Sequence, residues 1–232
     1  FLSRDGAQQA VAMRFVDEAI DREAPFFTYI ATNAPHGPMH APEASSKPYQ
    51  DQSVNLANFY GMIANIDDNV GAMRRFLKKE GLADNTIFIF TTDNGTSAGA
   101  RVHNNGMRGQ KGSEYDGGHR VPFFIHWPKG GLTGGRDVDT ITSYVDIVPT
   151  LINYCQVSSP KGVKFDGVNI RPLVEGKAKN WADRILVTDS QRVRDPIKWR
   201  KSSVMTDQWR LVNGKELYDI NADPGQKQNI AA

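Results

Sequence analysis

The sequence has almost no cysteine and no long hydrophobic run. Cys155 is its single cysteine, which excludes an intrachain disulfide and leaves the compartment open. No histidine or acidic residue neighbours Cys155 in sequence, so we interpret it as a packing residue and not as a nucleophile. The apolar runs, such as residues 87–90, are far too short to span a bilayer.

The sequence also lacks a strong excess of charge of either sign. Its net charge of +2 gives no argument for a nucleic acid or an anionic membrane as partner. With 232 residues, the chain is long enough for one large domain, or for one domain and a small second one. No secretion signal is visible, and residues 1–6 lead straight into a helical pattern. We therefore interpret the chain as a fragment or a processed protein.

Hydrophobic periodicity predicts alternating helices and strands in the first two thirds of the chain. The predicted helices cover residues 7–20, 53–79 and 146–154, and the predicted strands cover residues 26–31, 86–90 and 121–127. The run at residues 86–90 is apolar and rich in β-branched side chains. It therefore predicts a buried strand in a parallel or mostly parallel sheet.

The clearest helix, residues 53–79, carries apolar side chains at alternating steps of three and four. These predict one buried stripe, formed by Leu56, Phe59, Ile63, Ile66, Val70, Met73 and Leu77. Asp67 and Asp68 lie on the same helix. Paired carboxylates can bind a metal ion, but on a long surface helix they are more often solvated, so we assign them a structural role.

From about residue 180 the pattern changes to short strand-like pieces joined by turns such as Asn213-Gly214. The pieces cover residues 185–188, 202–206, 209–212 and 216–219, which predicts an antiparallel meander. We therefore expect two domains, with residues 1–179 forming a larger α/β part and residues 180–232 a small α+β unit.

Two side chains with oxygen donors follow the strand at residues 86–90. Asp93 and Asn94 come where the strand stops, and Gly95 lets the chain turn. Ligands of open α/β sheets bind beyond the carboxyl ends of the strands. A carboxylate beside a carboxamide there can hold a hard cation such as Ca2+ or Mg2+. The alternative is a simple turn in which Asp and Asn bond their own backbone.

A stiff loop follows the predicted strand at residues 26–31 and presents His36 and His40. His36 lies between Pro35 and Gly37, which restricts its backbone. A histidine held at a strand end is a candidate for acid-base chemistry, because its pKa lies near neutrality. A loop histidine that is merely solvated is the alternative.

Residues 96–120 form a long loop with six glycines and several cations. The cations are Arg101, Arg108, Lys111, His119 and Arg120. The glycine backbone can approach a bound anion closely, and the cations can compensate its negative charge. The loop therefore suits an anion such as sulfate or phosphate. The alternative is a flexible surface loop, although a loop of this length in a compact domain is more often functional.

Taken together, these segments resemble the sulfatase family of the alkaline-phosphatase-like superfamily over nearly the whole chain. The resembling segments are Ala34-Pro35-His36, residues 41–42, 62–71, 90–95, 105–112, 116–122, 146–151 and 216–219, and then Asp223, Pro224 and Asn229. Each motif alone has low specificity, whereas the ordered set is specific. The resemblance implies an α/β fold with a mixed, mostly parallel sheet flanked by helices, and a small C-terminal α+β unit of antiparallel strands.

The resemblance also implies a role for each matching position. Asp93 and Asn94 would be two ligands of one Ca2+ ion, which this chain would coordinate only in part. His36 would contact the sulfate and help to protonate the leaving oxygen, and Lys111 would bind a sulfate oxygen. Zinc phosphatases of the superfamily typically have histidine after this aspartate. The oxygen of Asn94 instead favours a hard cation.

Other parts of the family's pattern are absent from this sequence. The family's nucleophile is a formylglycine made in a C-x-P-x-R or S-x-P-x-R type of motif, and neither motif occurs here. The early acidic metal ligands are absent as well. Residues 105–112 and 116–122 resemble the family's lysine loop, in which Asp116 replaces the usual glutamate. We therefore expect the chain to be the C-terminal portion of a sulfatase. Without the upstream nucleophile, we expect it to be inactive alone.

Two other functions remain open at this point. One is a phosphodiesterase or phosphonate hydrolase of the same superfamily, and the other is a truncated, non-catalytic homologue acting as a binding module. For the sulfatase, the expected partner is a sulfated small molecule or glycan. The loop at residues 98–105 and the C-terminal unit would line the mouth of its pocket. Such enzymes are commonly periplasmic, secreted or lysosomal, so the resemblance implies export.

Overall fold

Helices dominate the first part of the chain and short strands the second. The computed structural model describes residues 4–231. Residues 1–3, which contributed to the interpretation of the chain as a fragment or a processed protein, lie outside the described residues. The helices are α1 (Arg4–Asp21), α2 (Glu43–Ser46), α3 (Val54–Lys79), α4 (Asp116–His119), α5 (Ile147–Cys155) and α6 (Arg171–Val174). The strands are β1 (Phe88–Thr91), β2 (Phe123–His126), β3 (Leu186–Asp189), β4 (Ser202–Met205), β5 (Trp209–Val212) and β6 (Glu216–Asp219). The predicted α/β class is confirmed.

The structure divides into two compact units, Phe1–Thr86 and Ile87–Ala232. The predicted boundary between residues 179 and 180 lies inside the second unit and stays a prediction. No helix within residues 4–231 combines the length and the apolar character that crossing a membrane would need.

The first unit is built on α3. The short helix α2 approaches α3 closely at Gly61, where a Cβ atom would lie 2.9 Å from the backbone of Ser46. Helix α1 packs along α3, and the side chain of Gln9 donates a hydrogen bond to the carbonyl of Asn69. The long helix is therefore held by contacts with both of its helical neighbours.

The predicted buried stripe of α3 is correct near its ends and wrong near its middle. Phe59, Met73 and Leu77 are buried, but Ile63 is 41% exposed. A helix of 26 residues is about 39 Å long. Because the other helices of this unit are shorter, they cover only parts of that length. Asp67 and Asp68 are exposed, in agreement with a solvated face.

The strand predicted for residues 26–31 is not formed in the described structure. The segment has no ladder partner, and the side chains of Phe27 and Tyr29 are 75% and 82% exposed. A strand exists only through hydrogen bonds to a neighbouring strand. The composition of residues 26–31 favours a strand, but it does not show whether a neighbouring strand is present to pair with them.

In the second unit, β1 pairs with β2, and the pairing is antiparallel. Phe88 lies opposite His126, and Thr91 lies opposite Phe123. Both sheets among the described residues are antiparallel, so the mostly parallel pairing predicted for β1 is not observed there. β1 is also half-buried along its length and not fully buried. An apolar run indicates burial, but it contains no information on the direction of the neighbouring strand.

The predicted C-terminal meander is confirmed nearly residue for residue. The four strands pair in the order β3-β4-β5-β6, all antiparallel. The tight turn at Asn213-Gly214 has positive φ at both residues, which agrees with the residue types that favour this backbone. Alternation of burial along β5 matches a sheet with one covered face.

A hydrophobic cluster lies beneath the β1-β2 pair. Its buried residues are Leu132, Tyr154, Ile170, Leu173 and Val174. Helix α5 supplies Tyr154, whereas the neighbouring Cys155 is exposed. The interpretation of Cys155 as a packing residue is therefore wrong, because it lies at the end of α5, where the chain leaves the core.

A buried aspartate ties the segments around α5 together. Asp146 is fully buried and receives two hydrogen bonds from the guanidinium of Arg184, at 2.7 and 2.9 Å. Its carboxylate also accepts hydrogen bonds from the backbone amides of Ser143 and Val168. One carboxylate thus fixes three segments that are distant in sequence.

Candidate active site

Asp93 and Asn94 lie just beyond the end of β1, as the sequence predicted. The side chain of Asp93 is exposed and that of Asn94 is half-buried. Within residues 4–231, neither side chain takes part in a hydrogen bond or an ion pair. Their oxygen atoms are therefore free to bind a ligand.

The turn that carries these two residues is joined to the lysine loop, residues 96–120. The amide of Gly95 donates to the carbonyl of Gly118 at 3.0 Å, and the amide of Lys111 donates to the carbonyl of Thr96 at 2.9 Å. A Cβ atom on Gly95 would lie only 1.9 Å from the carbonyl oxygen of Gly117. Glycine therefore allows the Asp93-Asn94 turn and the lysine loop to lie side by side.

A buried ionic group holds the far end of the lysine loop. Asp116 is 1% exposed, and it receives a hydrogen bond of 3.1 Å from Nε of Arg210. The Nε2 atom of His119 lies 3.6 Å from the same carboxylate. Burial alone would raise the pKa of Asp116, but the nearby His119 and the charge of Arg210 outweigh it and hold the pKa below its ordinary value.

Arg108 fastens the middle of this loop to the C-terminal sheet. Its guanidinium lies 3.9 Å above the ring of Tyr115, and it donates to the hydroxyl of Tyr218 at 2.7 Å. Both tyrosine hydroxyls donate to Glu216. Burial and the hydrogen bond to this carboxylate raise the pKa of Tyr115 to about 12, so Tyr115 is a neutral donor at physiological pH.

These contacts explain how a glycine-rich loop acquires a defined shape. The amide of Asp116 donates to the buried side chain of Gln226 at 2.9 Å, and the amide of Gly117 donates to the carbonyl of Arg108 at 2.8 Å. Lys111 lies between Arg108 and Asp116, the two fastened residues of the loop, and is half-buried. The loop is thus a positioned element of the second unit, and the flexible-loop alternative does not describe it.

His36 belongs to the first unit. The residue is exposed, and its Nδ1 atom lies 2.9 Å from the carbonyl oxygen of Gly37. If Nδ1 carries the proton and donates to that carbonyl, Nε2 is left to face a ligand. The backbone amide of His36 also donates to Asn33, which fixes the turn.

The donor set at Asp93 and Asn94 is compatible with Ca2+ but incomplete. Ca2+ takes six to eight oxygen ligands in proteins, and these two side chains offer a carboxylate and a carboxamide. Within residues 4–231 there is no group of three or more acidic, histidine or cysteine side chains that could hold a metal ion. The residues present therefore fit part of a calcium site.

Two family models match the chain. The model described as Sulfatase matches residues 5–157, and the model described as N-sulphoglucosamine sulphohydrolase, C-terminal, matches residues 110–232. The first match covers more than half of the chain, including the Asp93-Asn94 turn and the lysine loop. The chain belongs to the sulfatase family.

Characterised and uncharacterised sulfatases are among its relatives. The chain is 37% identical over 169 residues to the uncharacterized sulfatase YdeN of Escherichia coli, a match that covers 72% of this chain and 30% of that protein. It is 33% identical over 179 residues to an arylsulfatase of Clostridium perfringens, with 75% of this chain and 35% of that protein covered. The chain thus spans about a third of the length of these sulfatases.

A solved structure agrees with the fold of nearly the whole chain. The structure of Ps i-CgsB in complex with k-i-k-neocarrahexaose superposes with a TM-score of 0.84 at 27% identity. The match covers 97% of this chain and 50% of that protein. The described fold therefore corresponds to about half of the fold of that protein.

Sequence reasoning missed one feature near the lysine loop. A cavity of about 370 Å³ is lined by Gly112 and by residues of the segment between β3 and β4, among them Arg192, Arg200 and Lys201. The density of basic residues in residues 190–201 was a visible signal. What the sequence did not reveal is that this segment folds back beside Gly112.

Proposed function

We propose that this chain is part of a sulfuric-ester hydrolase that cleaves sulfate esters with a bound Ca2+ and a formylglycine nucleophile. The observation that carries the proposal is the joining of the Asp93-Asn94 turn to the lysine loop, within a chain of the sulfatase family. This arrangement supports the proposal because Asp93, Asn94 and Lys111 lie on backbone segments that are hydrogen-bonded to each other.

The proposed role of Lys111 follows from the charge of the reaction. Sulfate-ester hydrolysis breaks a sulfur–oxygen bond and builds negative charge on the leaving oxygen and on the sulfate. The Lys111 ammonium group would bind a sulfate oxygen and offset this charge. The two fastened residues on either side of it in the loop, Arg108 and Asp116, would keep the ammonium group in position.

The proposed role of His36 is to protonate the leaving oxygen. An imidazole that is protonated on the nitrogen facing the substrate can donate that proton as the bond breaks. The exposed position of His36 leaves this ring nitrogen accessible. His36 would thus supply a proton, whereas Lys111 would supply a fixed positive charge.

Asp93 and Asn94 would hold the Ca2+ ion through their side-chain oxygens. When bound, the ion would supply positive charge next to the sulfate group. The remaining acidic ligands and the nucleophile would come from a portion of the parent protein outside this chain. The chain alone is therefore proposed to be inactive, with weak metal affinity.

A phosphodiesterase or phosphonate hydrolase of the same superfamily is the competing enzyme, and it would use an unmodified Ser or Thr nucleophile. The oxygen donor of Asn94 favours the sulfatase, because zinc sites prefer nitrogen and sulfur ligands. A non-catalytic binding module is disfavoured, since His36, Asp93, Asn94 and Lys111 are all retained.

The proposed substrate is a sulfated small molecule or glycan, and the parent is proposed to be exported. Two observations on relatives support the substrate class. One relative is an arylsulfatase, and the structural relative Ps i-CgsB was solved with k-i-k-neocarrahexaose. Export follows only from the family resemblance.

The nucleophile peptide of the complete parent protein provides the deciding test. We expect mass spectrometry of the digested parent to find a formylglycine, and we expect the parent to hydrolyse an aryl sulfate in a Ca2+-dependent manner. An unmodified Ser or Thr nucleophile with phosphonate hydrolysis would overturn the sulfatase proposal. A parent gene that encodes no upstream half would overturn the enzyme proposal altogether.

A further inference from the structure

The cavity beside Gly112 has an unusually basic lining. Its volume is about 370 Å³, within the range of small-ligand pockets. The lining residues are Gly112, Ser190, Gln191, Arg192, Val193, Arg200 and Lys201. Three of these seven carry a positive charge and none carries a negative charge, so the cavity favours an anion.

The positive charge of this segment is concentrated and not neutralised. Residues 190–201 contain five basic residues and one acidic residue, whereas the whole chain has a net charge of only +2. Within the described residues, no ion pair or side-chain hydrogen bond is recorded for Arg192, Arg200 or Lys201. By contrast, Arg184 and Arg210 are each paired with a buried aspartate. Arg184 and Arg210 therefore stabilise the fold, whereas Arg192 and Arg200 are available to a ligand.

The segment is held in a defined shape by one side chain. The carboxamide of Gln191 donates to the carbonyl of Ile197 at 3.1 Å, and it accepts from the amide of Ile197 at 3.0 Å. Asp189 receives two hydrogen bonds from Gln191, and the amide of Ser190 donates to the carbonyl of Lys201. The cationic side chains thus extend from a preorganised loop.

Backbone strain marks the same loop. Trp199 and Lys201 have φ angles of 67° and 47°, in the left-handed region that bulky residues seldom adopt. The ring of Trp199 also packs over Gly214, where a Cβ atom would lie 2.8 Å from the ring. Strained backbone persists only where surrounding contacts enforce it, and it is concentrated at ligand sites.

We propose that this cavity binds a second anionic group, a sulfate or a carboxylate, of a sulfated oligosaccharide. Gly112 lines the cavity and directly follows Lys111, which we assign to the sulfate that is cleaved. Arginine guanidinium groups suit this task, because their planar forks match the oxygens of sulfate and carboxylate. This assignment of a specificity site rests on the proposed function.

The shape of the positive region favours an oligosaccharide over a nucleic acid. Nucleic acids bind along extended basic faces that contact many phosphates. Here the excess charge is confined to residues 190–201, three of whose five basic residues line the cavity, and the rest of the chain has slightly more acidic than basic residues. A confined pocket next to a reaction site selects a substrate by one additional anionic group.

Binding by this chain tests the site without any need for turnover. The variant is Arg192→Ala/Arg200→Ala, and the matched control is Lys161→Ala/Lys164→Ala, which removes the same charge from exposed positions outside the cavity. The probes are k-i-k-neocarrahexaose and a heparin hexasaccharide, measured by calorimetry at several salt concentrations. We expect at least one probe to bind about tenfold more weakly to the variant, with the control unchanged.

Three outcomes would overturn the assignment. They are equal binding by the wild type and the variant, no binding of either probe to the wild type, and equally tight, Arg192/Arg200-dependent binding of a single-stranded DNA. In the complete parent, we expect the variant to raise KM for the sulfated oligosaccharide by a larger factor than KM for 4-nitrophenyl sulfate. If the wild-type parent hydrolyses neither substrate, the proposed sulfatase function is refuted. The binding results would still show whether the cavity binds an anionic oligosaccharide.

Discussion

Two kinds of acidic residue lie in the second unit, and they differ in burial and pairing. Asp116 and Asp146 are buried and bound to arginine side chains. Asp93 is exposed, and no partner is recorded for it within the described residues. All three lie at or near the end of a regular element, so their positions along the chain do not distinguish them.

The difference separates residues that hold the structure from residues available for a ligand. Removing one partner of a buried ion pair leaves an uncompensated charge, which is strongly destabilising. Removing an exposed, unpaired carboxylate costs the fold almost nothing. A stability measurement therefore assigns each aspartate to one class, and the following predictions run from the largest expected effect to the smallest.

All four tryptophans lie in the second unit, so their fluorescence reports its unfolding.

Breaking the Asp146 pair should have the largest effect. We expect Arg184→Ala to lower the free energy of unfolding by about 3–5 kcal/mol, because the fully buried Asp146 carboxylate loses both guanidinium hydrogen bonds. Urea unfolding followed by tryptophan fluorescence measures this loss. Arg194→Ala, at an exposed position with no recorded partner, is the control and should change stability little. A loss below about 1 kcal/mol for Arg184→Ala would contradict the structural role.

Asp116 should stabilise the unit in a pH-dependent manner. The folded pKa lies below the ordinary value of about 3.9. The stabilisation is therefore complete above that pH, and it is lost as the pH falls through the folded pKa. We expect Asp116→Asn to cost about 1–3 kcal/mol at pH 7.

The test for Asp116 is the stability difference between wild type and variant at several pH values. The difference should shrink as the pH falls below about pH 4. A difference that grows as the pH falls below about pH 4 would show that the neutral form of Asp116 is the stabilising one.

A side chain at Gly95 should disturb the site with a smaller effect on the unit. In Gly95→Ala the new Cβ would meet the carbonyl oxygen of Gly117, so the turn and the lysine loop must separate. We expect a loss of about 1–2 kcal/mol. The amides of Gly95 and Lys111 should exchange hydrogen faster, while those of β4 and β5 remain protected. Unchanged exchange at both amides would show that the close approach is not required.

Removing the Asp93 carboxylate should have the smallest effect on the fold and a large effect on activity. We expect Asp93→Asn to change the free energy of unfolding of this chain by less than about 0.5 kcal/mol. In the complete parent, the same substitution should weaken Ca2+ binding and sulfate-ester hydrolysis at least tenfold. Asp84→Asn, also exposed, serves as the control. A parent that retains full Ca2+-dependent activity would exclude Asp93 from the metal site.

The sequence by itself determined the local elements and part of the candidate site. Helix α3 follows from its periodic apolar residues, and the meander β3–β6 follows from short alternating strands and the Asn213-Gly214 turn. Asp93 and Asn94 were placed at a strand end because an apolar run stops just before them. These predictions succeed because the relevant pattern lies within a few residues. The metal and catalytic assignments stay predictions.

Only the tertiary structure decided which distant residues meet. Asp116 and Arg210 are 94 positions apart, and Asp146 and Arg184 are 38 apart, so no local pattern pairs them. The antiparallel partner of β1, the unpaired residues 26–31 and the basic cavity beside Gly112 depend equally on distant segments. Periodicity indicates which face of an element is apolar. The neighbour that covers that face, or leaves it open to a ligand, is set by the packing of the whole chain.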